Sequence, residues 1–338
     1  MDHYVGIDLH SNNSIIGIID QNNKKISKKR SQNNLQSIYQ ILEPYGDDIK
    51  AIIIESTFNW YWLADGLMEK GYNLHLANPS AIKQYEGLKH SDDVTDAFHL
   101  ANLYRLGILP EGYIYPKQER PVRDLLRKRL MLVRQRTAQI LSFQNLVARN
   151  RGLMMRADKI KTMNQSELET LFVDQFIIMS AKATLGTIVF LTDQIKALEK
   201  AIKEHAKIKP QFNLLKTAPG IGELLSLTVM YETGDIKRFP KPGNFTSYCR
   251  CVPTCRMSNG KGKGYGNRKN GNRYLAWVFI EAANTATWHY DFVKRYYQKK
   301  LAKTNKPVAI KAVAHKLARA CYYIMKDEVP FDPQKAFA

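Results

Sequence analysis

The sequence predicts an α/β domain followed by a mainly helical second half. Three observations carry that expectation. The run Ala51-Ile52-Ile53-Ile54 is apolar and β-branched, as in a strand buried on both faces. Strand-like and helix-like segments alternate through the N-terminal third, and further on apolar residues recur at spacings of three and four.

At 338 residues the chain exceeds one ordinary core, so two or three domains are expected. A hydrophobic content of 44% with 10% aromatics argues for globular folding. The 51 Lys and Arg against 31 Asp and Glu give a formal charge of +20, which implies a polyanionic partner. The N-terminus Met1-Asp2-His3-Tyr4 lacks the basic and apolar regions of a signal peptide. The most apolar stretch, Phe176 to Leu191, is interrupted by Lys182 and is short for a membrane span. The expectation is a soluble, cytoplasmic protein that meets DNA or RNA and no membrane.

Taken in order, Tyr4 to Asp8, Ser14 to Asp20 and Lys24 to Lys29 read as strands separated by polar turns. Leu35, Ile38, Ile41 and Leu42 recur at helical spacing, and the buried strand Ala51 to Ile54 follows. A helix over Trp60 to Glu69, a short strand over Asn73 to Leu76 and a helix from about Asp92 to Leu106 complete the set. Strand hairpin, helix, buried strand, helix, strand is the order of an RNase H-like α/β domain, placed at 1–122.

Residues 123–208 read as a basic helical and coiled-coil region. From 117 to 157 there are 11 Lys and Arg, including Arg127, Lys128 and Arg134, but only Glu119 and Asp124 as acids. Leu126, Leu130, Val133, Thr137 and Ile140 line one helix face, so the arginines are expected to look outward. Ile188, Leu191, Ile195, Leu198 and Ile202 form a heptad seam, suited to a coiled coil or to packing inside one subunit.

Residues 209–326 form a different, mainly helical unit, with a tail at 327–338. Ala218-Pro219-Gly220-Ile221-Gly222 before an apolar helix resembles the turn of a helix-hairpin-helix element. Backbone N–H groups at Gly220 and Gly222 could hold a DNA phosphate, or the turn is a plain helix connection. From Ile236 to Arg273 there are ten Lys and Arg and no acid. That span carries Lys261, Lys263, Tyr265, Arg268, Lys269 and Arg273. Alternating glycine and lysine from Gly260 to Gly266 lets backbone and cations approach phosphates, and Tyr265 could stack on a base. Tyr274, Trp277 and Trp288 are expected in the core. Cys249, Cys251 and Cys255 cluster, but a closed zinc site wants a fourth ligand, so packed thiols are expected.

Against this basic background four acids stand out. Asp8 and Glu55 end apolar strands, and Asp93 and Asp96 lie one helical turn apart. Clustered carboxylates repel unless a divalent cation neutralises them, and Mg²⁺ or Mn²⁺ suits oxygen ligands that leave open positions. Singly, Asp8 could be a strand-end cap, Glu55 a surface acid, and Asp93 with Asp96 a helix N-terminal pair. His10, two residues from Asp8, is read as a turn or core histidine.

Together, Gly6-Ile7-Asp8-Leu9-His10, Ile54-Glu55-Ser56-Thr57, Asp93-Val94-Thr95-Asp96-Ala97, Pro219-Gly220-Ile221-Gly222 and Ser258-Asn259-Gly260-Lys261 show a familiar pattern. It continues through Asn267 to Leu275 and Glu281-Ala282-Ala283. The chain resembles the DEDD transposases of bacterial insertion sequences, recombinases guided by a bridge RNA. That resemblance implies a RuvC-type RNase H-like domain, a helical dimerisation region, and a C-terminal DNA-binding transposase domain with a nucleophilic serine. It implies that Asp8, Glu55, Asp93 and Asp96 hold Mg²⁺ and that Ser258 attacks the scissile phosphate. It further implies donor and target DNA as substrates, with a structured non-coding RNA pairing with both. Homodimers or homotetramers are implied, acids of one subunit and the serine of another completing each site. Two departures stand out. Asp92 precedes Asp93 where many members have Ser or Thr, so Asp92 remains an alternative third acid. Met257 precedes Ser258 where many members carry a second serine.

Three rivals remain. Actin-like kinases also open with Gly-Ile-Asp, but no convincing second Asp-x-Gly phosphate loop follows here. A metal-dependent junction nuclease would use water in place of Ser258. A nucleic-acid-binding protein would need no catalysis at all.

Overall fold

The computed structural model describes residues 1–82, 93–206, 210–253, 257–264 and 270–337, and divides into two compact units, Met1–Lys117 and Gln118–Ala338. In the first, β1 (His3–Leu9), β2 (Asn13–Asp20) and β3 (Lys25–Gln32) form an antiparallel meander. Strands β4 (Ile49–Glu55) and β5 (Leu74–Ala77) extend it in parallel beside β1, giving the order β3-β2-β1-β4-β5. Helices α1 (Leu35–Leu42), α2 (Tyr61–Glu69) and α3 (Asp93–Arg105) complete the unit. Each element falls within a few residues of the segment its sequence pattern predicts. The five-stranded mixed sheet is consistent with an RNase H-like fold.

The middles of strands β1, β2 and β4 are apolar because both their faces are covered. Val5, Ile7, Leu9, Ile16, Ile18, Ile52 and Ile54 pack with Ile38 and Leu42 of α1 and Leu63 and Leu67 of α2. On the opposite face Ala51 and Ile53 meet Leu100 and Leu103 of α3, and Ile19 meets Phe98 and Ala101. Each fully buried aliphatic side chain is worth about 1.5–3 kcal/mol over an exposed one. The two-residue alternation of strand side chains therefore puts Asp8, two after Gly6, and Glu55, two after Ile53, on the face that α3 covers. Gly6 is where the helix comes closest. A Cβ there would fall inside the Ala97 carbonyl, and one at Gly17 would meet the Phe98 ring at 2.9 Å.

The second unit begins with α4 (Arg120–Arg151), joined through α5 (Ala157–Thr162) and α6 (Gln165–Leu171) to α7 (Gln175–Ala206). Arg129 bonds Glu199 at 2.6 Å and Arg136 bonds Thr192 at 3.2 Å. Seven residues forward on α4 thus match seven back on α7, so the two helices run antiparallel. The predicted seam of α7 packs inside this chain, with Ile188, Leu191, Ile195 and Ile202 buried. The arginines of α4 do not all look outward, for Arg120 and Arg123 are buried.

The remaining helices are α8 (Pro210–Leu215), α9 (Glu223–Thr233), α10 (Pro242–Tyr248), α11 (Arg273–His289), α12 (Asp291–Leu301), α13 (Lys306–Asp327) and α14 (Pro333–Phe337). Tyr231, Phe245, Phe279 and Tyr322 fill their core, joined by Leu126 and Ile202 from the roots of α4 and α7. Burial pushes the Cys249 and Cys321 thiols up, and that of Cys251 to about 12, so all three pack as neutral thiols. Cys255 lies outside the described residues. Trp277 packs against this core but Trp288 does not, being 85% exposed at the end of α11. α7 is long and apolar enough over Gln175–Glu204 to cross a bilayer by length and composition, a test that core helices also meet.

Candidate active site

Asp8 and Glu55 come together because β1 and β4 are adjacent and parallel, with Ile7 opposite Ile54 one residue earlier on each strand. The turns beyond them are tied as well. Asn59 donates its side-chain amide to the His10 carbonyl at 3.0 Å, and Asn33 donates to the same oxygen at 2.9 Å. Asp96 reaches this end of the sheet because it adjoins Ala97, the residue seated on Gly6. The electrostatics report the convergence. Burial, then the charges of Asp8 and Asp96, hold the Glu55 carboxyl above its ordinary range, with His10 acting weakly the other way.

Two histidines join these acids. His10 Nε2 stands 3.3 Å from Asp8 Oδ2, so it faces the acid site instead of a core. His99 follows Asp96 by one turn of α3, and burial lowers its pKa against the opposing pull of Asp96. The sequence carried a signal for His10, the i, i+2 spacing at a strand end. Asp93 opens α3, but its side chain, like the whole of Asp92, lies outside the described residues. Among the described residues, no group of three or more His, Cys, Asp or Glu side chains is drawn together tightly enough to grip an ion. The donor chemistry nevertheless suits a hard divalent cation, since half-buried carboxylates that repel one another are relieved by one.

Ser258 sits in the second unit, exposed at the tip of a two-strand hairpin formed by β6 (Met257–Ser258) and β7 (Lys261–Gly262). Asn259 and Gly260 make the turn with φ of 50° and 71°, the left-handed pair that an Asn-Gly hairpin requires. Ser258 pairs directly with Lys261, which puts a cation on the hydroxyl's own face of the hairpin. The base of this excursion is pinned. Arg250 donates to the Gly271 carbonyl at 2.8 Å, and the Asn272 amide donates to the Tyr248 carbonyl at 2.6 Å.

A DEDD transposase family model of the IS110 type matches residues 5–149, and the Transposase IS116/IS110/IS902 family model matches 212–298. The transposase for insertion sequence element IS1328 of Yersinia enterocolitica is 21% identical over 95% of this chain and 96% of its own length. The transposase for IS1111A of Coxiella burnetii is 24% identical over 68% of this chain and 63% of its own. The chain belongs to the DEDD family of insertion-sequence transposases. It is a DNA transposase, its substrates are DNA, and its DEDD domain is of a kind that implies a divalent metal.

The transposase's other predicted contact residues are placed unevenly. Lys128, Arg134, Lys261, Lys263 and Arg273 are exposed, while Tyr265, Arg268 and Lys269 lie outside the described residues. Gly220 has φ of 72°, and a Cβ on it would collide with the Ala282 carbonyl, so this glycine lets the turn seat on α11. Gly222 is open to solvent at the start of α9, where Glu223 in the first turn competes with any incoming phosphate.

Arg127 is committed inside the protein. Its guanidinium bonds both oxygens of Glu232, at 2.5 and 2.8 Å, and stacks 4.4 Å from the Tyr274 ring. Arg123 adds a bond to Glu232 at 3.2 Å, and Asn272 adds one at 2.7 Å while capping the start of α11. Burial alone would lift the Glu232 pKa, but Arg127, Arg123 and Asn272 together hold it below the ordinary value. Through Asn272, this buried carboxylate supports the base of the loop that carries Ser258. Nothing in the residues around Glu232 announces that role.

Proposed function

We propose that this transposase cuts and rejoins DNA through a covalent phosphoserine intermediate, and that a structured RNA guides it to donor and target. The observation that carries the reading is the convergence of Asp8, Glu55 and Asp96 at one end of a sheet, where burial and then the charges of Asp8 and Asp96 raise the cost of ionising Glu55. Asp8, Glu55, Asp96 and Asp93 would hold a divalent cation, Mg²⁺ or Mn²⁺. When bound, that ion supplies charge neutralisation for the acids and for the phosphate being cut.

The protein's own residues do the rest. The Ser258 hydroxyl gives up its proton, its Oγ bonds to phosphorus, and one phosphorus–oxygen bond to the adjoining sugar breaks. The released sugar oxygen takes a proton and leaves as a hydroxyl. Attack by a different strand's hydroxyl reverses these steps, restores the serine, and needs no ATP because the phosphoester energy is kept. Lys261, paired with Ser258 across the hairpin, is suited to lower the cost of the hydroxyl's ionisation and to draw the phosphate in. The two units thus supply different parts of one reaction.

The assembly is read as a homodimer or homotetramer. Phe176, Met179 and Phe190 lie on the face of α7 turned away from α4 and are 82%, 71% and 62% exposed, a stripe suited to a second copy. The guide RNA follows from the family resemblance. Two measurements test the whole reading. Asp8→Asn should abolish strand cleavage while leaving DNA binding intact. Recombination by the purified protein should require RNA that co-purifies with it; full activity after nuclease treatment would refute RNA guidance, and cleavage by Asp8→Asn would refute the acid site.

A further inference from the structure

A second acid-free stretch lies outside every site described so far. From Phe292 to Lys326 the chain holds ten Lys and Arg and no Asp or Glu. It covers nearly all of α12 and α13, which pack side by side on the core through Val293, Val313 and Leu317. The cations are drawn together on one part of that surface. Lys300 of α12 and Lys316 of α13 both point at the ring of Tyr296, with Nζ atoms 5.6 and 5.5 Å from its centroid. Arg319 follows Lys316 by one helical turn and is exposed. A cleft of about 820 Å³ opens from Lys316 and Arg319 past the exposed Tyr323.

The energetics of this cluster are unfavourable as it stands. One aromatic face is worth about 0.5–1 kcal/mol to an exposed cation, too little to offset several like charges at close range. Burial, then Arg319 and Lys300, lower the Lys316 pKa, and burial, then Arg319 and Lys316, lower that of His315. Two acids, Asp327 and Asp332, line the far side of the cleft. Asp332 is occupied by the backbone amides of Gln334 and Lys335, at 2.9 and 3.2 Å. What relieves convergent cations, Lys316 among them partly desolvated, is a row of phosphates.

We propose that the α12–α13 face is a docking track for a nucleic-acid phosphate backbone, gripped by Lys300, Lys316 and Arg319 around Tyr296. The proposal rests on the reading of a DNA-acting recombinase and adds a contact surface remote in sequence from Ser258 and from the acids. Backbone contact of this kind positions the nucleic acid without reading bases.

The test is the salt dependence of binding by the full-length protein, measured by fluorescence anisotropy in EDTA so that no strand is cut. The probes are a random-sequence DNA duplex, one of its single strands, and RNA of the same sequence. Each phosphate contact contributes about 0.9 to the slope of log K against log salt for duplex, and about 0.7 for single strands. The triple variant Lys300→Gln, Lys316→Gln, Arg319→Gln should therefore lower the slope by about 2 to 3 on the probe that uses the track. The charge-preserving triple Lys300→Arg, Lys316→Arg, Arg319→Lys should keep the wild-type slope. The probe with the largest loss identifies DNA or RNA as the occupant. Should the triple fail to fold, Lys300→Gln alone, on an exposed side chain, should lower the slope by about 1. Wild-type slopes on all three probes would overturn the proposal, as would equal loss in the charge-preserving variant. Cleavage by Asp8→Asn would instead sink the catalytic reading and leave this result standing.

Discussion

Removing Glu232 would take away the buried carboxylate that Arg123 and Arg127 share. Breaking a buried pair from one side costs about 3–5 kcal/mol, so Glu232→Ala should lose roughly that much in urea unfolding. An unchanged midpoint would contradict the network. Its pH dependence has a definite sign. The folded pKa lies below the ordinary 4.5, so this stabilisation is complete above 4.5 and fades as pH falls through the lower folded value. Glu55 behaves oppositely. Its folded pKa is raised, so ionisation costs stability as pH rises from 4.5 through the folded value. Glu55→Gln should therefore melt above the wild type at neutral pH without metal, the gap closing in acid. Added Mg²⁺ should raise the wild-type melting temperature more than the variant's. Equal melting of the two proteins at neutral pH would refute the mutual repulsion of these acids.

The contact of α3 with the sheet is set by the absence of one methyl group. Gly6→Ala would drive a Cβ into the Ala97 carbonyl, pushing the helix and Asp96 away from Asp8 and Glu55. Overpacking of this kind costs about 1–3 kcal/mol, and the cleavage rate should fall further than stability alone explains. Wild-type cleavage with a lowered melting temperature would show that Asp96 is not positioned this way. The elements of the first unit could be read from the sequence because buried strands are written as unbroken runs such as Ile52-Ile53-Ile54, and the acids stand at their ends. The inward turn of Arg123 and Arg127 could not, because their partner lies 109 and 105 residues away. Asn259-Gly260 is a hairpin-turn dipeptide, yet the sequence reading places Gly260 in a phosphate-contacting loop and Asn259 only in the family motif. Trp288 belongs inside by its residue type, and its place at the end of α11 puts it in solvent.

For the whole molecule, the heptad seam of α7 had two readings, and the structure buries it against α4 of the same chain. The proposed self-association would then use the other face of α7. Phe176→Ser with Phe190→Ser should shift the protein toward monomer in sedimentation without lowering its melting temperature, because both rings are exposed. Unchanged mass would show that the stripe is not the subunit contact. Sequence could separate an acid-bearing unit from a basic helical one, since composition changes sharply between them. It could not reveal how a hydroxyl at position 258 is presented, because that depends on a hairpin tip, a cross-strand lysine and a loop base held from Asn272. The most direct trial of the account is a denaturing gel of the transposase with cognate DNA, its RNA and Mg²⁺, run for wild type, Ser258→Ala and Asp8→Asn. A protein–DNA adduct should form with the wild type and vanish in both variants. An adduct surviving in Ser258→Ala, or free hydrolysed ends released by it, would contradict the serine as the attacking group.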